Sequence, residues 1–306
     1  MRRNDVAGYG DDVPQPSPEL LVERILEWYD GHARDLPWRA PGVGAWPIMV
    51  SEFMLQQTPV SRVLDPWRRW LDRWPTPAAL AGAPSGEAVR AWGRLGYPRR
   101  ALRLHQAATA IVDRFDGEVP SDHDALLSLP GVGPYTAAAV ASFAFGARHV
   151  VLDTNVRRVL ARTVDGAAHP ARTPTVAERL AASALLPVEP ARAARWAVAS
   201  MELGAVVCGA RSPRCPDCPV ADLCAWNLAG RPAYDGPPRV GQAYDGTDRQ
   251  CRGALLAVLR STDGPVAAGE LAAAWPDPDQ QTRALASLVA DGLVAPTGDD
   301  TYALPG

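Results

Sequence analysis

The chain of 306 residues contains no lysine: all 31 basic side chains are arginine, set against 34 acidic ones. That absence excludes catalysis through a lysine Schiff base and nucleotide binding through a P-loop lysine. No apolar run approaches the roughly 18–20 residues needed to span a membrane, and no signal peptide opens the chain. Five cysteines, an odd number, argue against the disulfide framework of a secreted domain. The net charge of −3 does not advertise a nucleic-acid partner. What is abundant is proline (30), glycine (26) and tryptophan (10), in a chain long enough for two or three domains.

The first 16 residues show no periodicity and read as a loose tail. Ser17-Pro18-Glu19 then reads as a helix start, with Ser at the N-cap and Pro at the first helical position. Helical spacing recurs over about 46–57, 60–74, 85–95, 98–115, 122–128, 134–145, 154–164, 174–185 and 190–205. The Trp67, Trp70 and Trp74 stripe on the second of these marks a core face. Strand alternation is nearly absent before residue 230, so the fold class is mainly all-α. Residues 231–250 read as a linker. Beyond it, helices at 251–260 and 281–291 accompany strands at Pro265-Val266-Ala267, Leu293-Val294-Ala295 and Tyr302-Ala303-Leu304. That order looks like a small winged-helix α+β segment, 251–306. It carries 3 Arg against 7 acids, a net −4, which leaves +1 on the preceding residues.

Arginine is clustered. Residues 89–114 hold six, and 148–162 hold four against Asp153. These are solvated helix faces or a surface that tracks phosphates. Cys208, Cys215, Cys218 and Cys224 follow C-x6-C-x2-C-x5-C, with Pro213, Pro216 and Pro219 stiffening the loop. Four thiols in that run are a metal site, and the compact unequal spacing suits a 4Fe-4S cubane better than zinc. Cys251 stands apart as a structural thiol. Gly131-Val132-Gly133 joins two helical patterns. It is a plain helix–turn–helix link, or a tight turn whose N–H groups make an anion seat at a helix N-terminus. Asp153 opens a helix; it is a simple N-cap, or a carboxylate that the helix N-terminus holds ionised for catalysis. Glu52 is the only acid between Asp35 and Asp65 and is flanked by apolar residues. It is a surface Glu on an amphipathic helix, or a buried acid that keeps a proton available.

Taken together, the cysteine loop and the Leu129–Ala137 run resemble the endonuclease III superfamily of helix-hairpin-helix DNA glycosylases over roughly residues 19–230. The resemblance implies a two-lobed fold: a cluster lobe from 19–45 and 152–230, and a six-helix lobe from 46–151. It implies a 4Fe-4S cluster that braces a basic loop bearing Arg211 and Arg214, and Gly131, Val132 and Gly133 gripping DNA phosphate. Strand-cleaving members carry a lysine where this chain has Tyr135, so hydrolysis without strand scission is expected. An N-terminal amine could formally substitute, but Met1 lies on the tail.

The run around Glu52 resembles the adenine-specific branch of the MutY type, which acts on double-stranded DNA with A opposite guanine or 8-oxoguanine. There Glu52 would protonate the leaving purine at N7, Asp153 would stabilise the oxocarbenium-like sugar, and Tyr135 and Asn155 would position groups around it. Arg34, Trp38 and Arg39 would line the base pocket, Gln57 and Tyr97 would wedge into the duplex beside the base, and Thr58 and Leu95 would belong to the same DNA-binding set. A monomer in the cytoplasm, associated with the nucleoid and not with membrane, is implied. The alternatives are a thymine or pyrimidine glycosylase of the same superfamily and a non-catalytic cluster-bearing DNA-binding protein. The chain departs from the branch at its end: the usual Nudix-like domain is replaced by 251–306, which leaves room for a protein partner there.

Overall fold

The computed structural model describes residues 17–237, Gly241 and 244–306. The tail expected over 1–16 lies outside the described residues, as does part of the expected linker. The chain is mainly helical, as its periodicity predicts, and divides into two compact units. One joins the chain up to Asp35 with Ala141–Pro237, and the other joins Leu36–Val140 with Pro238–Gly306.

In the first unit, helices Pro18–His32, Thr154–Thr163, Val176–Ala184 and Pro190–Val206 share one core. Leu21, Ile25, Val159, Trp196 and Leu203 fill it, spaced on their helices so that one face of each is apolar. Helix Pro18–His32 begins where Ser17-Pro18 predicts. Its Ser17 hydroxyl donates to the Glu19 carboxylate (2.9 Å), however, and caps no backbone N–H. Thr175 and Glu178 form a complete capping box on Val176–Ala184.

The second unit is built from helices Ala45–Leu55, Val60–Arg73, Ser85–Trp92, Arg99–Arg114, His123–Leu127 and the start of Pro134–Phe145. The Trp stripe is core: Trp70 meets Trp74 and Trp92 edge-on, with ring centroids 4.7 and 5.6 Å apart. Three short helices, Pro77–Ala81, Ala225–Leu228 and Ala268–Ala272, lie where a single turn leaves no readable period.

The C-terminal segment runs helix Asp248–Ser261, strand Val266–Ala267, helix Ala268–Ala272, helix Pro278–Ala290, then strands Ala295–Gly298 and Thr301–Ala303 in an antiparallel sheet. That is the winged-helix order. The first hairpin strand starts at Ala295, two residues later than predicted, because Leu293 and Val294 turn into the core. Within this unit the segment docks on helix Ser85–Trp92. Arg90 donates to the Arg260 and Thr262 carbonyls, Arg260 Nε donates to Val89 O (2.9 Å), and Gly86 N–H donates to Pro305 O (2.7 Å). A Cβ on Gly86 would lie 2.3 Å from that oxygen, so this approach requires glycine. No helix among the described residues is long and apolar enough to cross a membrane.

Candidate active site

Helix Ala45–Leu55 is apolar on nearly every side, so Glu52 is carried into the interior and is only 5% exposed. A buried carboxyl needs a partner. The Tyr135 hydroxyl, on the helix after the hairpin, donates to Glu52 Oε2 at 2.9 Å. The hairpin itself runs from helix His123–Leu127 through Gly131 into Pro134–Phe145. Gly131 has φ +79°, and a Cβ there would lie 2.6 Å from Arg103 Cβ and 3.0 Å from Phe53 Cε1. Only glycine fits that turn. Val132 is buried and anchors the hairpin. Gly133 is exposed with nothing within 4 Å of a would-be Cβ, so its backbone is open to a ligand.

Two loops of the same unit hold the expected wedge residues. Gln57 and Tyr97 are exposed and adopt left-handed backbone, φ +55° and +47°, which costs a non-glycine residue roughly 1–2 kcal/mol. Thr58 and Leu95 are buried instead; the Thr58 hydroxyl lies 3.3 Å from Leu95 O and ties the loops together. Trp38, on the short 3-10 helix Pro37–Arg39, is also buried, edge-on to Trp67 at 5.7 Å. Arg39 beside it is half-buried.

In the first unit, Asp153 caps helix Thr154–Thr163. Its Oδ1 accepts from the Asn155 and Val156 N–H groups at 2.9 and 2.7 Å, and its Oδ2 accepts from Asn155 Nδ2 at 2.6 Å. The helix end is not the dominant influence on its proton affinity. Burial outweighs these hydrogen bonds and pushes the Asp153 carboxyl above the usual aspartate range. Asn155 Oδ1 accepts from Arg158 Nη2 (2.8 Å), whose Nε donates to Cys208 O (2.7 Å). Arg158 thus links the aspartate to the cysteine loop. Gly204 permits the crossing of the helices here, since a Cβ would lie 2.7 Å from Asn155. Arg34 is held by buried Glu202, with Nε–Oε1 at 2.6 Å and Nη2–Oε2 at 2.8 Å.

Cys208, Cys215, Cys218 and Cys224 are free thiols lining one cavity with Val159, Leu203, Val207 and Trp226. Burial and the neighbouring sulfurs push the Cys218 thiol up to about 12. Among the described residues, no three His, Cys, Asp or Glu converge closely enough to hold one metal ion. All four line the one cavity, and a set of four thiols is the donor set a thiolate-bound inorganic group requires. Arg162 Nη1 donates to Cys208 Sγ at 3.3 Å, as a residue beside an anionic cluster would.

The arginine clusters are not the surfaces their counts suggest. Arg100, Arg157, Arg158 and Arg162 are buried and hold backbone carbonyls, and Arg90 caps a helix end. In the first cluster Arg94, Arg99, Arg103 and Arg114 do remain exposed. Glu202, Arg100 and Arg158 are site residues the sequence does not announce, because most of their partners lie 40 or more residues away in sequence or are backbone atoms.

Known proteins resemble this chain in sequence and in fold. Residues 50–184 match the model of the HhH-GPD superfamily base excision DNA repair protein. The chain is 54% identical over 299 residues to an adenine DNA glycosylase of Mycobacterium tuberculosis, covering 96% of this chain and 98% of that one. It is equally identical, over 283 residues, to an adenine DNA glycosylase of Mycolicibacterium smegmatis, covering 92% and 95%. Among solved structures, a thermostable thymine-DNA glycosylase superposes with a TM-score of 0.62 at 27% identity, over 69% of this chain and 97% of that one.

Proposed function

The chain belongs to the adenine DNA glycosylases of the HhH-GPD superfamily and is a base-excision-repair enzyme that removes adenine from DNA; we propose that its target is adenine mispaired with guanine or 8-oxoguanine, and that it leaves the strand unbroken. The observation that carries the reading is the buried Glu52 held by the Tyr135 hydroxyl at 2.9 Å. Adenine leaves poorly as an anion, so the reaction needs an acid at the base.

In this reading Glu52 gives its proton to N7 of the extruded adenine. The C1′–N9 bond breaks with its electron pair going to N9, and adenine departs neutral. Asp153, ionised and oriented by Asn155, stabilises the cationic sugar. Water adds to C1′, loses a proton, and an abasic site remains. Tyr135 stands where a strand-cleaving relative would carry lysine, and no lysine exists elsewhere in the chain. Gly131, Val132 and Gly133 grip a phosphate, while Arg34, Trp38 and Arg39 shape the base pocket. Gln57 and Tyr97 enter the duplex; Thr58 and Leu95 serve that step as buried anchors.

A 4Fe-4S cluster on Cys208, Cys215, Cys218 and Cys224 is part of the proposal, supported by the shared cavity. When bound it cross-links the loop that presents exposed Arg211 and Arg214 to the DNA backbone. Action on chromosomal DNA would place the protein with the nucleoid.

The test is a panel of duplexes bearing A·G, A·8-oxoguanine, T·G and A·T. The expected result is adenine release from the first two and none from the others. Thymine release from T·G would favour a mismatch thymine glycosylase instead, the activity named for the superposed structure. Tight binding with no base released would indicate a non-catalytic DNA-binding protein.

A further inference from the structure

Arg100 is placed where its own helix does not favour a cation. It sits in the first turn of helix Arg99–Arg114, at the positive end of the helix dipole, and only 9% of it is exposed. Its guanidinium donates to oxygens at the end of helix Ala45–Leu55 and in the two loops that carry Gln57 and Tyr97. Nη1 donates to the carbonyls of Phe53 (2.9 Å), Met54 (3.2 Å) and Gln56, acceptors at the C-terminal end of helix Ala45–Leu55. Nη2 donates to the Thr58 hydroxyl (3.1 Å) and to the carbonyls of Gly96 (3.0 Å) and Leu95 (3.5 Å). The cation also lies 5.4 Å from the ring centroids of both Tyr97 and Trp92.

We propose that Arg100 is a positioning residue whose one guanidinium sets the backbone of Gln57 and of Tyr97 together, so that both side chains enter the duplex as a pair when adenine is extruded. This rests on the reading of Gln57 and Tyr97 as wedge residues. Three features support it. Both residues are exposed, Tyr97 to 46%, while their neighbours Thr58 and Leu95 are buried. Both are non-glycine residues in left-handed backbone, a state that persists only where surrounding bonds over-determine it. The bonds that do so here converge on Arg100. The planar fork matters: Nη1 holds the end of helix Ala45–Leu55 and Gln56 while Nη2 bridges Thr58 on one loop to Leu95 and Gly96 on the other, whereas a lysine ammonium offers its donors from a single point. Burial holds the guanidinium down at about 10, still well above neutral pH, so it acts as a permanent cation.

The test compares the full-length protein with R100M and R100K in single-turnover adenine release from two duplexes. In one, adenine lies opposite guanine; in the other it lies opposite an abasic-site analogue, where no partner base has to be parted from it. R100M is expected to be slower on the A·G duplex by on the order of 10²-fold, the cost of misplacing a positioned group by about 1 Å. On the abasic-analogue duplex it should stay within about 3-fold of the unaltered protein, and R100K should fall between. A 2-aminopurine beside the target adenine should report slowed extrusion in R100M. Equal losses on both duplexes, or no loss on either, would overturn the proposal. If R100M does not fold, T58V decides. It removes the hydroxyl that bonds Arg100, and it should show the same selective loss at about 10-fold; an unselective loss or none overturns the proposal equally. Failure of the unaltered protein to release adenine from either duplex would instead overturn the excision reading.

Discussion

Glu52→Gln is expected to slow adenine release from an A·G duplex by about 10³-fold or more, while the affinity for that duplex changes little. General acid catalysis supplies roughly 10²–10⁴-fold, and departure of a purine without a proton is slow enough to place this case toward the upper end. Gln matches the carboxyl in shape and can still accept from Tyr135, so the pocket around helix Ala45–Leu55 should stay packed. Single-turnover release kinetics and a binding titration on the same duplex measure the two effects separately. Adenine release within about 10-fold of the unaltered protein would remove Glu52 from the acid's role.

Asp153→Asn is expected to lower release by about 10²–10³-fold, the usual effect of removing a preorganised electrostatic group. Its effect on stability should run the other way with pH. The folded-state value of Asp153 is raised, so between the unfolded and folded values the folded protein binds more protons than the unfolded chain. Stability from this residue is therefore fullest below the ordinary aspartate range and is lost as pH rises through the raised value. Above that raised value the ionised carboxylate is a cost that the substitution removes. Asn keeps the acceptor for the Asn155 and Val156 N–H groups and gives up the bond from Asn155 Nδ2, worth about 1 kcal/mol. The Tm of the variant minus that of the unaltered protein should accordingly rise between pH 4 and pH 8. A difference that falls over that range would contradict the burial argument. An inactive variant of unimpaired stability is what a carboxylate retained for chemistry predicts.

What the sequence revealed was local. The four cysteines, the two hairpin glycines and the Glu52 segment are each a run of a few residues whose spacing has a physical meaning by itself. The helices followed from apolar periodicity, which misses only single turns such as Pro77–Ala81. What stayed hidden depends on partners remote in sequence. Arginine counts over 89–114 and 148–162 cannot tell a surface cation from Arg100 or Arg158, because the carbonyls that let a guanidinium be buried come from other elements. Arg34 meets Glu202 across 168 positions. The burial around Asp153 was hidden for the same reason: the helix end is visible in sequence, and the remote elements that bury the carboxyl are not. The left-handed backbone at Gln57 and Tyr97 had no glycine or asparagine to announce it.

The most direct test of the account is the fate of the strand. The unaltered protein is incubated with an A·G duplex labelled on the adenine strand, with and without borohydride, and the products are resolved before and after hot alkali. The account predicts free adenine, a full-length strand that breaks only on alkali treatment, and no covalent adduct trapped by borohydride, because a chain without lysine has no side-chain amine to attack the sugar. A strand cut without alkali, or a borohydride-trapped adduct, would contradict it.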